Sequence, residues 1–428
     1  MVDLSHRVHK SNRPLLLFTQ VCFAISLPVA YVLSSYFQRG RFDQFFLNDA
    51  VDTPPVPGNF YPGPIGVHTF GDFLQPLWQS RLSPSPYIAG NSSYLPGANG
   101  VFWLFSWIPF WPSFLLFLII SLTTLSFPFW KAESNPDAWS RIGLVLGGVW
   151  LTYPVLFALD RGNIQLLTVG FIVLAFYSSS RNRPVLAGIC LGAAICLKAY
   201  PVLFLIIFLR RKSWRTVVTT IGTAGLCTTL PLVLFGGGLL RNTRALISNL
   251  ISSQEELSSL SLYANNSLKA LGLSMRSAGL DGFANIFGDY SAIICGFLLF
   301  AIFCLSLLRE CDDLEMALLV ATVSCLAVTF SPGYVLLLFL VPAFFIYHHV
   351  SHLPNKWVVF YSGVIALLLM PKQLPMRFWK DSYLQSSPSV ASLVNPLIMV
   401  ILVLVILIRV LYSVVISRQH KGSSPLPL

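Results

Sequence analysis

Charge is what this sequence has least of. Charged residues fill 11% of its 428 positions, against about 25% in a soluble domain. That shortage excludes an ordinary soluble globular chain. Alternating patterns are missing too, because the apolar residues, 55% of the chain, come in long unbroken runs. No Walker phosphate loop, Gly-x-Ser-x-Gly elbow or His-Glu-x-x-His pair occurs, which removes the chemistries those motifs carry. The eight cysteines show neither metal-ligand spacing nor a disulfide framework. All but Cys311 lie inside apolar runs and read as small buried hydrophobes. No metal site is expected, and a metal requirement stays open. The net charge of +11 sits mainly in short clusters at the ends of apolar runs. Such clusters orient helices in a bilayer, and no basic–aromatic face suggests nucleic acid.

What is present is apolar length. A spanning helix needs about 20 apolar residues. The run 14–36 has that length and no clean cleavage site follows it, so it reads as a membrane helix and not a signal peptide. Further runs cover 101–130, 142–159, 164–177, 184–197, 202–209, 217–238, 293–308, 316–330, 334–347, 358–370 and 393–416. The expected fold class is an all-α polytopic membrane protein. It forms one domain over 1–428, with ten to thirteen transmembrane segments and both ends cytoplasmic. Arg7, Lys10 and Arg13, then "RNR" and "RRKSWR", mark the inner side. Polar loops at 38–100 and 239–290 fall outside, and they carry Arg81, Arg241 and Arg244, which long loops tolerate. The short runs joined by "KAYP" read as a hairpin whose tip stops in a cavity. This topology gathers Asp72, the "DRGN" turn, Lys198 and Asn266 on one outer side.

Asp72 opens "GDFLQPLWQSRLSPSPY", an amphipathic segment expected to lie along the membrane as a helix. Near a helix N-terminus its carboxylate stays ionised and suits a general base. Asp43, Asp49 and Asp52 share the loop as solvated residues. His68, four residues earlier, is a weaker neighbour. At "DRGN", Arg161, Asn163 and Gln165 fit a structural turn with a helix cap, and equally a phosphate-binding rim, where arginine offers a planar fork. Lys198 in "CLKAYP" lies at membrane depth, at a cost of about 2.5–3.5 kcal/mol. It either snorkels to the interface or binds an anion. Asn265 and Asn266 open a short helix as caps, with sugar binding as an added reading. His348, His349 and His352 suit a helix C-terminus. The pairs Glu255–Glu256 and Asp312–Asp313 read as solvated loop faces.

Several stretches resemble glycosyltransferase family 87. "RGNIQLLTVGFIVLAFYSSSRNRPVLAGICLGAAICLKAYPVLFLIIFLRRKSWR" is similar to its central signature of polar turn, span, basic link and Lys-x-x-Pro helix. "GDFLQPLWQSRLSPSPY", ending at Tyr87, resembles its first-loop pattern, as do "YLPG" and "NNSL" at later positions. The resemblance implies a GT-C fold and an inverting enzyme of the plasma membrane, active on the extracytoplasmic face. It implies a polyprenyl-phosphate sugar, mannose or arabinose, as donor substrate, with no cofactor. The acceptor is a lipid or glycan. By that resemblance Asp72 is the catalytic base, and Lys198 and Arg161 stabilise the leaving phosphate. Asn163, Gln165, Tyr87, Asn266 and His68 complete the substrate-binding set. The family's late hairpin often has Trp and His after Ser-Pro. Here "SPGYVLLLF" has no histidine, and Tyr334 stands in its place.

Two rivals stand beside this reading. A dolichol-dependent mannosyltransferase of the glycolipid-anchor type favours Asp-x-Asp in the first outer loop, whereas Phe73 and Leu74 follow Asp72. A transporter or lipid flippase without covalent chemistry predicts pseudo-symmetric halves, and no matching pair of interrupted segments occurs.

Overall fold

The computed structural model describes residues 70–88, 92–131, 138–259, 265–277, 279–308, 310–328, 330–348, 353–372 and 389–422. The run 14–36, His68, the aspartates of 43–52, His349 and His352 lie outside the described residues. Among those described there is no β-strand, and every regular element is a helix.

The first described element, α1 (Gly71–Leu82), is the amphipathic helix expected in the 38–100 loop. It buries Phe73, Leu74 and Leu77. Next come α2 (Pro96–Ser106) and α3 (Phe110–Trp130), separated by Pro109. Arg81 closes the end of α2, its guanidinium donating to the carbonyls of Ser106 and Ile108. α4 (Ala138–Val145) runs through a π-turn (Leu146–Trp150) and bends 66° into α5 (Tyr153–Arg161). α6 (Gln165–Ser180) and α7 (Pro184–Leu197) follow. A 3₁₀ turn (Tyr200–Phe204) leads to α8 (Leu205–Arg210), then α9 (Trp214–Leu234). The 239–290 loop folds as α10 (Gly238–Ser259), α11 (Leu268–Ser277) and α12 (Asp281–Gly288). α13 (Ser291–Ser306), α14 (Asp313–Leu326), a 3₁₀ turn (Gly333–Phe339), α15 (Leu340–Tyr347), α16 (Asn355–Leu369) and α17 (Val390–Gly422) complete the bundle.

Among the described residues α3, α9 and α17 are each long and apolar enough to cross a bilayer. The count rises to five if the bent pairs α4–α5 and α12–α13 are each one span. Five more apolar helices have 10–17 residues. At 1.5 Å per residue these reach at most about 25 Å, less than a bilayer core of about 30 Å. The ten to thirteen apolar segments of the sequence therefore mix full spans with pieces that stop inside the bundle. One such stop is the end of α7. Helix α7 packs directly on α9: a Cβ on Gly188 would meet Thr219 Cβ at 2.6 Å, and one on Gly192 would meet Thr223 Cβ at 2.6 Å. Both rungs join residues 31 apart, so the two helices run parallel in fixed register. This is the small-residue contact that membrane helices favour.

At the C-terminal end of α8 a second polar region forms. Arg211 Nε lies 2.7 Å from Asp313 Oδ2, and Arg210 Nη1 3.3 Å from Asp313 Oδ1. Asp312 caps α14 in a capping box with Glu315. The Glu315 carboxylate, fully buried, accepts from Arg409 and from the Tyr361 hydroxyl. Asp312 and Asp313 are thus tied into the fold, not the solvated face that their position in a short link suggested. A carboxylate that begins a helix next to two arginines is worth more as a cap and clasp than as a hydrated charge.

Candidate active site

The site is built where α1 crosses the turn between α5 and α6. Phe70, with φ 60°, donates its backbone N–H to the Asp160 carbonyl at 2.7 Å, which pins the start of α1. Gly162 ends α5 with φ 62°. A Cβ there would also lie 2.8 Å from Phe73 Cβ. Only glycine satisfies both the left-handed turn and the close approach. Phe73 itself is enclosed by Phe102, Phe105, Phe110, Phe114 and Phe117. This aromatic socket fixes α1, and with it the residue one position earlier, Asp72.

Asn163 then performs two tasks. Its Nδ2 donates to Asp72 Oδ2 at 2.6 Å, and its Oδ1 accepts the Gln165 backbone N–H at 2.8 Å, capping α6. The amide orientation is therefore set at both ends. Of the two Asp72 oxygens, only Oδ2 has a protein donor among the described residues.

Lys198 follows the last residue of α7 in an extended conformation, φ −144° and ψ 144°. Pro201 three residues later prevents the helix from resuming at once. The ammonium lies 5.2 Å from the centre of the Tyr94 ring, and the Asp72 charge is within electrostatic range. Arg161 stacks its guanidinium 5.5 Å from the Phe157 ring centre. Phe157 in turn meets Tyr334 at 5.6 Å. Tyr334 lies beside Asn163, and Asp72 and Arg161 are in its electrostatic range. Gln165, fully buried, accepts the Tyr200 hydroxyl on Oε1.

Asp72, Arg161, Lys198, Tyr94, Tyr200 and Tyr334 are all half-buried, so this cluster remains open to a ligand. Neither Lys198 nor Arg161 is ion-paired among the described residues. Arg161 Nε and Gln165 Nε2 are buried donors without a protein acceptor among them. Buried polar groups are nearly always satisfied, so two unmatched donors in one site suit an oxygen-rich ligand. Burial, and behind it the Asp72 charge, hold the Tyr94 phenol well above the ordinary tyrosine range. It therefore stays a neutral hydroxyl. No group of three or more His, Cys, Asp or Glu among the described residues is placed to hold a metal ion.

The structure thus brings Asp72, Arg161, Asn163, Gln165, Lys198 and Tyr334 together. Tyr87 sits one step behind, buried against Phe235, its hydroxyl donating to the Tyr94 carbonyl at 3.3 Å. Asn266 is fully buried, with its side-chain amide joined to Ser331 and Asn395. Tyr94 and Tyr200 enter the site without having been singled out for it. Tyr200 had a faint signal, lying two residues past a lysine at a helix break.

Among the described residues, a helical bundle with full and partial spans, enclosing a carboxylate, two cations without a salt bridge and tyrosines, defines a multi-pass membrane protein with a polar site. The family model described as glycosyltransferase family 87 matches residues 93–332, more than half of the chain. The chain belongs to glycosyltransferase family 87 and is a membrane glycosyltransferase. No curated protein and no solved structure matches it. The matched stretch includes Arg161, Asn163, Gln165, Lys198 and Asn266, and leaves Asp72, Tyr87 and Tyr334 outside.

Proposed function

We propose that this protein is an inverting glycosyltransferase that moves a hexose or pentose, of mannose or arabinose type, from a polyprenyl-phosphate donor to a hydroxyl of a lipid or glycan. Its site faces the extracytoplasmic side of the plasma membrane. The observation that carries this reading is the juxtaposition of Asp72 with two cations that form no salt bridge among the described residues.

Asp72 Oδ1, without a protein donor among the described residues, takes the proton of the acceptor hydroxyl. The oxygen attacks the anomeric carbon from the face opposite the phosphate, and the bond from that carbon to the phosphate oxygen breaks. Polyprenyl phosphate departs with one more negative charge. Lys198 and Arg161 meet that charge as it develops, which is where fixed positive groups accelerate a reaction most. Asn163 holds the carboxylate in position. The Gln165 amide and the Tyr94, Tyr200 and Tyr334 hydroxyls are suited to the sugar and phosphate oxygens. Asn266 and Tyr87 support the walls of the same pocket, and His68 stays a candidate neighbour of the base.

The test replaces Asp72 by Asn and measures sugar transfer from a polyprenyl-phosphate donor in membranes. General-base loss lowers kcat by about 10²–10⁴-fold. Activity near that of the unaltered protein rejects the assignment.

A further inference from the structure

Tyr334 reaches the site from a strap, Ser331–Pro332–Gly333, that no regular element supports on its N-terminal side. Both backbone groups of Ser331 are held by one short turn. The Ser331 N–H donates to Asn265 Oδ1 at 2.8 Å. The Ser331 carbonyl accepts the Asn266 backbone N–H at 2.8 Å and Asn266 Nδ2 at 2.9 Å. Asn266 Oδ1 in turn accepts Asn395 Nδ2 from α17 at 2.8 Å. Asn266, Ser331 and Asn395 are each at most 1% exposed.

The chain of contacts has a direction. The Ser331 carbonyl can only accept, which turns Asn266 Nδ2 toward the strap, and Asn395 Nδ2 braces the other end of the same amide by donating to its Oδ1. Pro332 then restricts the next φ, and Tyr334 begins two residues further on. The phenol ends against Phe157 and Asn163, the side chain that holds Asp72.

From this geometry we infer that Asn395 is a positioning residue: through Asn266 and Ser331 it seats Tyr334 beside the catalytic carboxylate. The inference rests on the glycosyltransferase reading for its consequence, though not for its geometry. It brings α17, which lies past the family-matched stretch, into the working of the site.

The experiment uses the full-length protein with Tyr334→Cys, alone or combined with Asn395→Ala, Asn395→Asp or Asn395→Gln. A membrane-permeant maleimide labels position 334, and peptide mass spectrometry follows the rate. Exposed Cys304 on α13 serves as internal reference. Asn395→Ala and Asn395→Asp both raise the rate at 334 several-fold and leave Cys304 unchanged, since each removes the Nδ2 donor. Asn395→Gln, which keeps a donor, lies closer to the parent. Equal acceleration at both cysteines means general loosening and overturns the inference, as does no acceleration at 334. In the native-tyrosine background, Asn395→Ala lowers kcat by up to about 100-fold, the scale of a 1 Å misplacement, with donor KM nearly unchanged. Most of that loss disappears in a Tyr334→Phe background. A full, additive loss there also overturns the inference. If the unaltered protein transfers no sugar at all, the function above falls, while the labelling rates still decide whether Asn395 seats the strap.

Discussion

Two polar regions lie inside this apolar molecule, and they treat charge in opposite ways. Around Glu315 the charges satisfy one another. Arg409, Tyr361 and the Asp312 backbone close on Glu315, and Arg210 and Arg211 clasp Asp313. Around Asp72, cations and carboxylate are close but form no salt bridge among the described residues, and buried donors on Arg161 and Gln165 are left over among them. The two regions are joined by a single piece of chain. Lys198 belongs to one and Arg210 to the other, about 20 Å apart along a 3₁₀ turn and α8. Charges that hold helices together are saturated by protein partners. In the function proposed above, the charges near Asp72 are kept for a ligand and so withheld from such partners.

This contrast can be broken from either side. Glu315→Ala leaves Arg409 buried without its carboxylate, a change expected to cost about 3–5 kcal/mol. Thermal unfolding in detergent measures it, and little loss would mean that the cluster is not structural. Lys198→Met makes the opposite test. Transfer falls about 10²–10³-fold, as when a transition-state charge partner is removed, while the unfolding temperature stays level or rises. A large drop in stability would place Lys198 with the structural charges. Gly162→Ala probes the joint under α1. A left-handed non-glycine residue costs about 1–2 kcal/mol, and the push against Phe73 shifts Asp72, so both unfolding temperature and activity decline. Asp313→Asn has the smallest effect. Its arginine contacts are about one-fifth exposed, so it loses no more than about 1 kcal/mol and keeps its activity.

Much of the site was readable before any coordinates, for a physical reason. A charge inside an apolar run is costly enough to need a purpose, and Lys198 stood out in that way, whereas Asp72 stood out by opening an amphipathic segment and Arg161 by its place in a tight polar turn. Asn163 stood out through its turn, and the structure gives it the cap and the carboxylate contact at once. Tyr94 showed only as part of "YLPG", and Tyr200 only as a neighbour of Lys198, because a tyrosine carries no charge whose burial demands a purpose. Asn395 was hidden because its partner lies 129 residues away. Asp312 and Asp313 were misread, since a capped, clasped carboxylate and a hydrated one look alike in a short link. The amphipathic helix of the first loop and the breaks at Pro109 and "KAYP" were legible from proline and periodicity. The 66° bend between α4 and α5 was not, because it follows a π-turn within one continuous apolar run.

The glycine contacts between α7 and α9 have one more consequence. With Gly188 and Gly192 seated on the α9 backbone, α7 can neither slide nor rotate, so the height of the ammonium at its tip is dictated by two absent side chains. The helix pair works as a depth gauge. A methyl group added at either rung, more than a helical turn below, would lift the lysine off its mark without touching it.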